Sequence, residues 1–127
     1  MNSEKLKVVI VKTGENAVVS DLSPDDDMYG LLMSGELKIP YIFSPSKVAL
    51  VGINGDGQDL PRNRVLSRSE DGSVFDIISG DFMVVGYDEG FYSLTNEQAS
   101  VWKRTFLMPN RFVDGENGLE IIPYQQF

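Results

Sequence analysis

Three short apolar runs constrain the fold most: Val8-Val9-Ile10-Val11, Val48-Ala49-Leu50-Val51-Gly52-Ile53 and Phe82-Met83-Val84-Val85. Each is too short for a stable helix, and valine and isoleucine favour the pleated strand, where branched side chains pack well. Turn residues bound all three: Thr13-Gly14-Glu15-Asn16 after the first, Asn54-Gly55-Asp56-Gly57 after the second, Asp88-Glu89-Gly90 after the third. The third run has no polar break, as expected of a strand buried on both faces. The chain therefore has to build a sheet and cover it.

The segments between these runs supply the rest. Leu6 to Lys12 and Ala17 to Asp21 are expected to form an N-terminal hairpin. Ser23-Pro24 is expected to open a helix, with Ser23 as cap, Asp25, Asp26 and Asp27 at the positive end of the dipole, and Gly35 as terminator. Met28, Leu31 and Leu32 give it one apolar face. Leu37, Ile39, Tyr41 and Phe43 alternate as in a half-buried strand, with Pro40 marking an edge. Ser69-Glu70-Asp71-Gly72 signals a hairpin leading into a strand from Val74 to Ile78. Thr95 and Gln98 fit a capping box, and Ala99, Trp102 and Phe106 share one face of the helix that follows, with Trp102 as its expected anchor and Pro109 as its stop. The expected class is α+β: a mixed, mainly antiparallel sheet with two helices packed on it. We expect a single domain over residues 1–112 and an extension over 113–127, in which Leu119 to Ile122 adds a short edge strand.

Composition excludes several chemistries. The 127 residues contain no cysteine and no histidine. Disulfides, thiolate nucleophiles, zinc-cysteine sites, Ser-His-Asp triads and imidazole bases are therefore impossible. No Walker-type phosphate loop and no dinucleotide-binding glycine motif occurs. We assign no catalytic residue, no metal ligand and no cofactor. With 19 acidic and 11 basic residues the net charge is −8, which argues against direct nucleic-acid binding. No apolar run approaches the roughly 20 residues of a spanning helix. The N-terminus lacks a signal-peptide pattern, so a cytoplasmic location is expected.

Against that acidic background, Leu60-Pro61-Arg62-Asn63-Arg64-Val65-Leu66-Ser67-Arg68 places three of the five arginines within seven positions. Read as a loop, Arg62, Asn63, Arg64 and Arg68 form the candidate ligand-binding set: guanidinium forks and an amide can grip a phosphate, a nucleotide or carboxylates. The alternative is internal pairing with Asp56, Asp59, Glu70 or Asp71, with Asn63 holding its own turn. Other constellations carry less. Asn54 to Asp59 lacks the glycine and the glutamate of a calcium loop. Asp25-Asp26-Asp27 is explained by its place in a first helical turn. Asp76 and Asp81 flank Ser79-Gly80 as a possible acid–base pair, but also fit strand ends.

Several segments taken together resemble a known family. They are Leu60 to Arg64, Asp71-Gly72 with Phe75 to Gly80, Phe82 to Gly86, Ser93 to Gln98, and Trp102 through Phe106 to Pro109 and Phe112. In that order they resemble a small family of phage, plasmid and bacterial mobile-element proteins known as domain of unknown function 3846, over residues 6–112. The resemblance implies a fold unit and a phage or mobile-element setting, and no activity. The expected function is a small non-enzymatic accessory protein that binds an anionic small molecule or protein patch through the arginine segment. One alternative is an acidic inhibitor occupying the nucleic-acid site of a host or defence enzyme. The other is a carboxylate-based enzyme, which needs two acids in one pocket.

Overall fold

A computed structural model describes residues 5–35, 37–43, 46–53, 60–67, 71, 73–115 and 118–123, excepting the side chains of 75, 111–115 and 118–123. In chain order the elements are β1 (Leu6–Val11), β2 (Val18–Leu22), α1 (Asp27–Ser34), β3 (Tyr41–Phe43), β4 (Val48–Gly52), β5 (Arg62–Ser67), β6 (Val74–Ser79), β7 (Phe82–Tyr87), β8 (Phe91–Tyr92), α2 (Asn96–Thr105), β9 (Asn110–Gly115) and β10 (Gly118–Pro123). The class is α+β, and every strand pairing among the described residues is antiparallel.

The main sheet has the order β2-β1-β7-β4-β3, with the two-residue β8 added to β7. The three apolar runs are its inner strands β1, β7 and β4, and side-chain alternation feeds two separate cores. Val9, Val11, Val48, Leu50, Phe82 and Val84 point to one face, where they meet Ala99 and Phe106 of the α2 region and Leu66 and Ile78 of the β5–β6 ribbon. Val8, Ala49, Val51, Met83 and Val85 point to the other, beneath Met28, Tyr29 and Leu32 of α1. Both faces are covered, which is why these strands read as unbroken apolar runs.

The two helices form for different reasons. α2 has the expected capping box: the Gln98 amide donates to Thr95 Oγ1 at 3.0 Å, and the Thr95 amide donates to Gln98 Oε1 at 2.9 Å. α1 starts later than the sequence suggested. Asp26 is its N-cap without a side-chain cap bond, and Asp26 Oδ2 instead accepts from the Ser23 amide at 2.8 Å. Ser23 and Pro24 therefore belong to the turn before the helix. Gly35 closes α1 at φ 78°, the left-handed geometry that a glycine accepts without a Cβ penalty.

Three other expectations change. The arginine segment is not a loop but a strand, β5, paired antiparallel with β6 through a bulged register. The strand expected from Leu37 shortens to Tyr41–Phe43, since Pro40 has no amide to donate to a ladder. β10 pairs with β9 as a separate two-stranded ribbon. Among the described residues no helix is long and apolar enough to cross a membrane.

A polar contact ties the edge strand β3 to the β5–β6 ribbon: the Tyr41 hydroxyl donates to Asp76 Oδ2. That bond, with the Ile77 amide donating to Asp76 Oδ1 at 2.7 Å, holds the Asp76 carboxyl below its ordinary range. The same bond, and burial to a lesser degree, raises the Tyr41 phenol. Asp76 thus contributes stability above the ordinary carboxylate range and loses it as pH falls through its depressed value. Tyr41 contributes below the ordinary phenol range and loses it as pH rises through its raised value. Tyr41→Phe is expected to shift the acid-unfolding midpoint upward, towards neutrality, while leaving the far-ultraviolet circular dichroism at pH 7 unchanged. An acid limb identical to the wild type would show that the bond contributes nothing.

Candidate functional site

The site grows from an irregularity in β5. Arg62 pairs with Ser79 and Arg64 with Ile78, so Asn63 is the extra residue of a β-bulge. Strict alternation would send Asn63 and Arg64 to opposite faces. The bulge suspends it, and both side chains turn inward, each only 1% exposed. Arg62, one step earlier, stays exposed at the head of the strand.

Asn63 is fully engaged. Its Nδ2 donates to the Val11 carbonyl at 3.0 Å and to the Gly80 carbonyl at 2.8 Å. These are the end of β1 and the turn before β7, so a single amide pins β5 to two strands of the main sheet. Its Oδ1 accepts from Arg64 Nη1 at 2.7 Å. Arg64 in turn donates from Nε to the Phe106 carbonyl at 3.0 Å, from Nη1 to the Asn63 carbonyl at 3.3 Å, and from Nη2 to the Glu15 carbonyl. Phe106 is the C-cap of α2, where the helix dipole is negative and a cation is stabilised. One guanidinium thus joins the β1–β2 turn, β5 and the end of α2.

All these acceptors are neutral, and no described carboxylate forms an ion pair with Arg64. Burial pulls its guanidinium down to about 10, so it still carries a full charge at neutral pH. The sequence reading expected either free guanidiniums or carboxylate pairing. Arg64 instead uses backbone carbonyls, a pattern that spacing in the sequence cannot reveal. Arg68, and the acids Asp56, Asp59 and Glu70 considered as its neighbours' partners, lie outside the described residues, as does the Asn54 to Asp59 segment.

Beside Arg64 lies a cavity of about 370 Å³ between α2 and β5. Phe43, Trp102 and Phe106 supply its aromatic wall, and Ser67, Thr105 and Asn110 its polar groups. The rings are close to parallel: Phe43 and Trp102 stack at 5.6 Å and 26°, Trp102 and Phe106 at 5.8 Å and 23°. Phe106 then meets Phe82 edge-on at 5.2 Å, fixing the wall to the core. Trp102 is half-buried and lines this cavity, whereas Ala99 and Phe106 are the buried residues that anchor the helix region. No acidic residue lines the cavity among the described residues. A second cavity of about 450 Å³, between Lys38–Pro40 and Ser79–Asp81, has charges of both signs in its wall.

The other candidates are not brought together into chemistry. Asp76 is held by Tyr41 and Ile77, while Asp81 Oδ1 accepts from the Thr13 amide at 2.9 Å on another side of the ribbon's base. No group of three or more potential metal-binding side chains exists among the described residues, Asp25, Asp26 and Asp27 included. The cavity's aromatic and polar residues escaped the sequence reading because they come from three separate stretches. The only local signal was the i, i+4 pair Trp102 and Phe106.

Replacing Asn63 by alanine removes a donor to two carbonyls and leaves them buried, at roughly 1–3 kcal/mol for each unmet group. We expect Asn63→Ala to destabilise the fold by about 2–4 kcal/mol in urea titration. Arg64→Lys keeps the charge but lacks the planar fork, and should cost about 2 kcal/mol or more. Arg62→Ala, on an exposed position, should stay within about 0.5 kcal/mol of wild type.

The family model described as "Domain of unknown function (DUF3846)" matches residues 6–107, which include α2, the bulged strand and nearly all of the cavity wall. No curated protein and no solved structure matches the chain.

Proposed function

This chain belongs to the DUF3846 family, and we propose that it acts there as a non-enzymatic binding protein that holds an anionic ligand in the cavity between α2 and β5. The description of the family names no activity, so the reading rests on the site. One observation carries it: Arg64, buried and without a carboxylate partner among the described residues, lines an aromatic cavity that has no acidic lining residue among them, in a chain of net charge −8. Among the described lining residues Arg64 is the one charged side chain. Burying a charge is unfavourable unless something offsets it. Neutral carbonyls and the α2 C-terminus offset part of that penalty, and an anion in the cavity would offset more.

The binding site proposed here is narrower than the arginine segment as a whole. Arg64 supplies the charge, Asn63 fixes Arg64, and Arg62 stands outside the cavity. A cytoplasmic accessory role in a phage or mobile-element setting is part of the same proposal, supported by the motifs from Leu60 to Phe112 that resemble that family. The absence of histidine and cysteine favours binding over catalysis.

Trp102 is the only tryptophan and lines the cavity, so its indole reports occupancy directly. The test compares wild type with Ser67→Glu, which places a carboxylate in the cavity wall at an exposed strand-end position. Native mass spectrometry of protein purified from its own host is expected to show a small anionic adduct on wild type and none on Ser67→Glu. In parallel, a panel of inorganic phosphate, an aliphatic carboxylate and an aromatic carboxylate should include an anion that moves the Trp102 indole N–H resonance in wild type only. Equal adducts on both proteins, or an indole unmoved by every anion, would overturn the reading.

A further inference from the structure

We propose that the β9–β10 ribbon is a hinged side wall of the cavity, latched to β5 by Asn110, and that its opening governs access to the site. The proposal takes from the anion-binding reading above only that this cavity is where the ligand sits. β9 and β10 pair with each other from Asn110↔Pro123 to Gly115↔Gly118, and no ladder joins them to the main sheet or to the β5–β6 ribbon. The β5–β6 ribbon is equally separate, but Asn63 and Arg64 fasten it through buried hydrogen bonds to the sheet and to α2. The β9–β10 ribbon has no comparable fastening among the described residues. One hydrogen bond crosses from it to β5 there: the Val65 amide donates to Asn110 Oδ1 at 3.1 Å.

The hinge lies just before the ribbon. Leu107 still belongs to the packed domain: its amide donates to the Arg104 carbonyl at 3.4 Å, and its carbonyl accepts from the Ala17 amide at 3.0 Å. Asn110 opens β9. Between them lie Met108 and Pro109, and Pro109 has no amide with which to anchor the link. The family model ends at residue 107 as well.

Movement at this hinge reaches the site. Met108 and Asn110 line the cavity together with Val65, whose amide is the other half of the latch. The α2 and β5 sides are bonded to each other through Arg64 Nε and the Phe106 carbonyl, so the ribbon side is the one that can give. A single neutral hydrogen bond biases an equilibrium by about two- to tenfold. That is enough to favour a closed wall and too little to fix it. A ligand touching Met108 or Asn110 adds its contacts to the closed state and shifts the population toward it. Released from β5, a two-stranded hairpin is marginal at best in water. The ribbon's own ladder therefore opens with the latch, and its amides report the motion.

The test is native-state hydrogen exchange on the full chain and two variants. In wild type the β9 and β10 ladder amides are expected to share one opening equilibrium and to exchange at least about a hundredfold faster than those of β1, β4 and β7. Asn110→Ala removes the acceptor and should speed the ribbon amides by about two- to tenfold while leaving the inner strands unchanged. Asn110→Asp keeps an oxygen for the Val65 amide and should exchange no faster than wild type. The chain has no cysteine, so Leu66→Cys places a single thiol on the buried cavity wall. Its reaction with iodoacetamide should quicken by the same factor when Asn110→Ala is added. Three results would each overturn the proposal: ribbon amides that exchange only with the inner strands, an Asn110→Asp ribbon as fast as Asn110→Ala, or thiol labelling unmoved by Asn110→Ala. Should Asn110→Ala not fold, Leu66→Cys alone decides: labelling that tracks the ribbon amides supports the hinged wall, and labelling at any other rate overturns it. None of these readouts uses an anion. If the wall opens and no anion of the panel above moves the Trp102 indole, the anion reading fails and the hinged wall stands. If an anion binds while the ribbon exchanges only with the inner strands, the reverse holds.

Discussion

The contact between Asn63 and Arg64 is the joint on which the rest of the molecule is assembled. A six-stranded sheet and a two-stranded ribbon share no ladder, so backbone pairing alone cannot fix the ribbon over the sheet. The Asn63 amide does so by donating to Val11 and Gly80, the places where β1 and the turn into β7 leave carbonyls at the sheet's end. Arg64 extends the same joint to Glu15 and Phe106. Removing either side chain would leave several carbonyls without partners in a region water does not reach, which is more damaging than the loss of one favourable contact. Buried polar groups of this kind specify one arrangement among several that an apolar core would tolerate.

The cavity follows from that joint. α2 is held near β5 through the Phe106 carbonyl on Arg64, and apart from it by the bulk of the Phe43, Trp102 and Phe106 stack. The separation is therefore set by rigid parts on both sides: a capped helix whose C-terminus is bonded to the strand, and rings braced on Phe82. A site built in this way is largely formed before any ligand arrives, which reduces the ordering that binding requires. The bulge is the local device that makes it possible. Without the extra residue at Asn63, the amide and the guanidinium would occupy opposite faces, and one of the two connections would be lost.

The fold was legible wherever a single local signal decided the outcome. Val8 to Val11, Val48 to Val51 and Phe82 to Val85 became the inner strands because branched apolar residues in short runs have few other options. Thr95 with Gln98 fixed the start of α2 through two reciprocal bonds between near neighbours. Signals failed where the decision was tertiary. Arg62 to Ser67 looked like a loop because its polar residues do not alternate, and the alternation is broken by a bulge that only the partner β6 defines. Trp102 does pack against the core as a half-buried residue that also borders the cavity, while the smaller Ala99 and Phe106 are the fully buried contacts of this region. The arginine cluster was recognised as unusual, but the acceptors of Arg64 are carbonyls at positions 15, 63 and 106, which carry no mark in the side-chain sequence.

A hidden cation in an acidic protein also has a consequence for selectivity. At a distance an anion meets the net negative field, screened over about 10 Å in ordinary salt. Highly charged anions are repelled most and gain least from a single guanidinium. Arg64 is buried, and a single charge interacts more strongly there than in water. Under the proposed reading, the balance shifts toward ligands that carry little charge and much apolar surface, because desolvating them is cheap. Among the described residues no acid lines this wall, in a chain with 19 acids. Under the same reading, a carboxylate placed there would compete with the anion for Arg64.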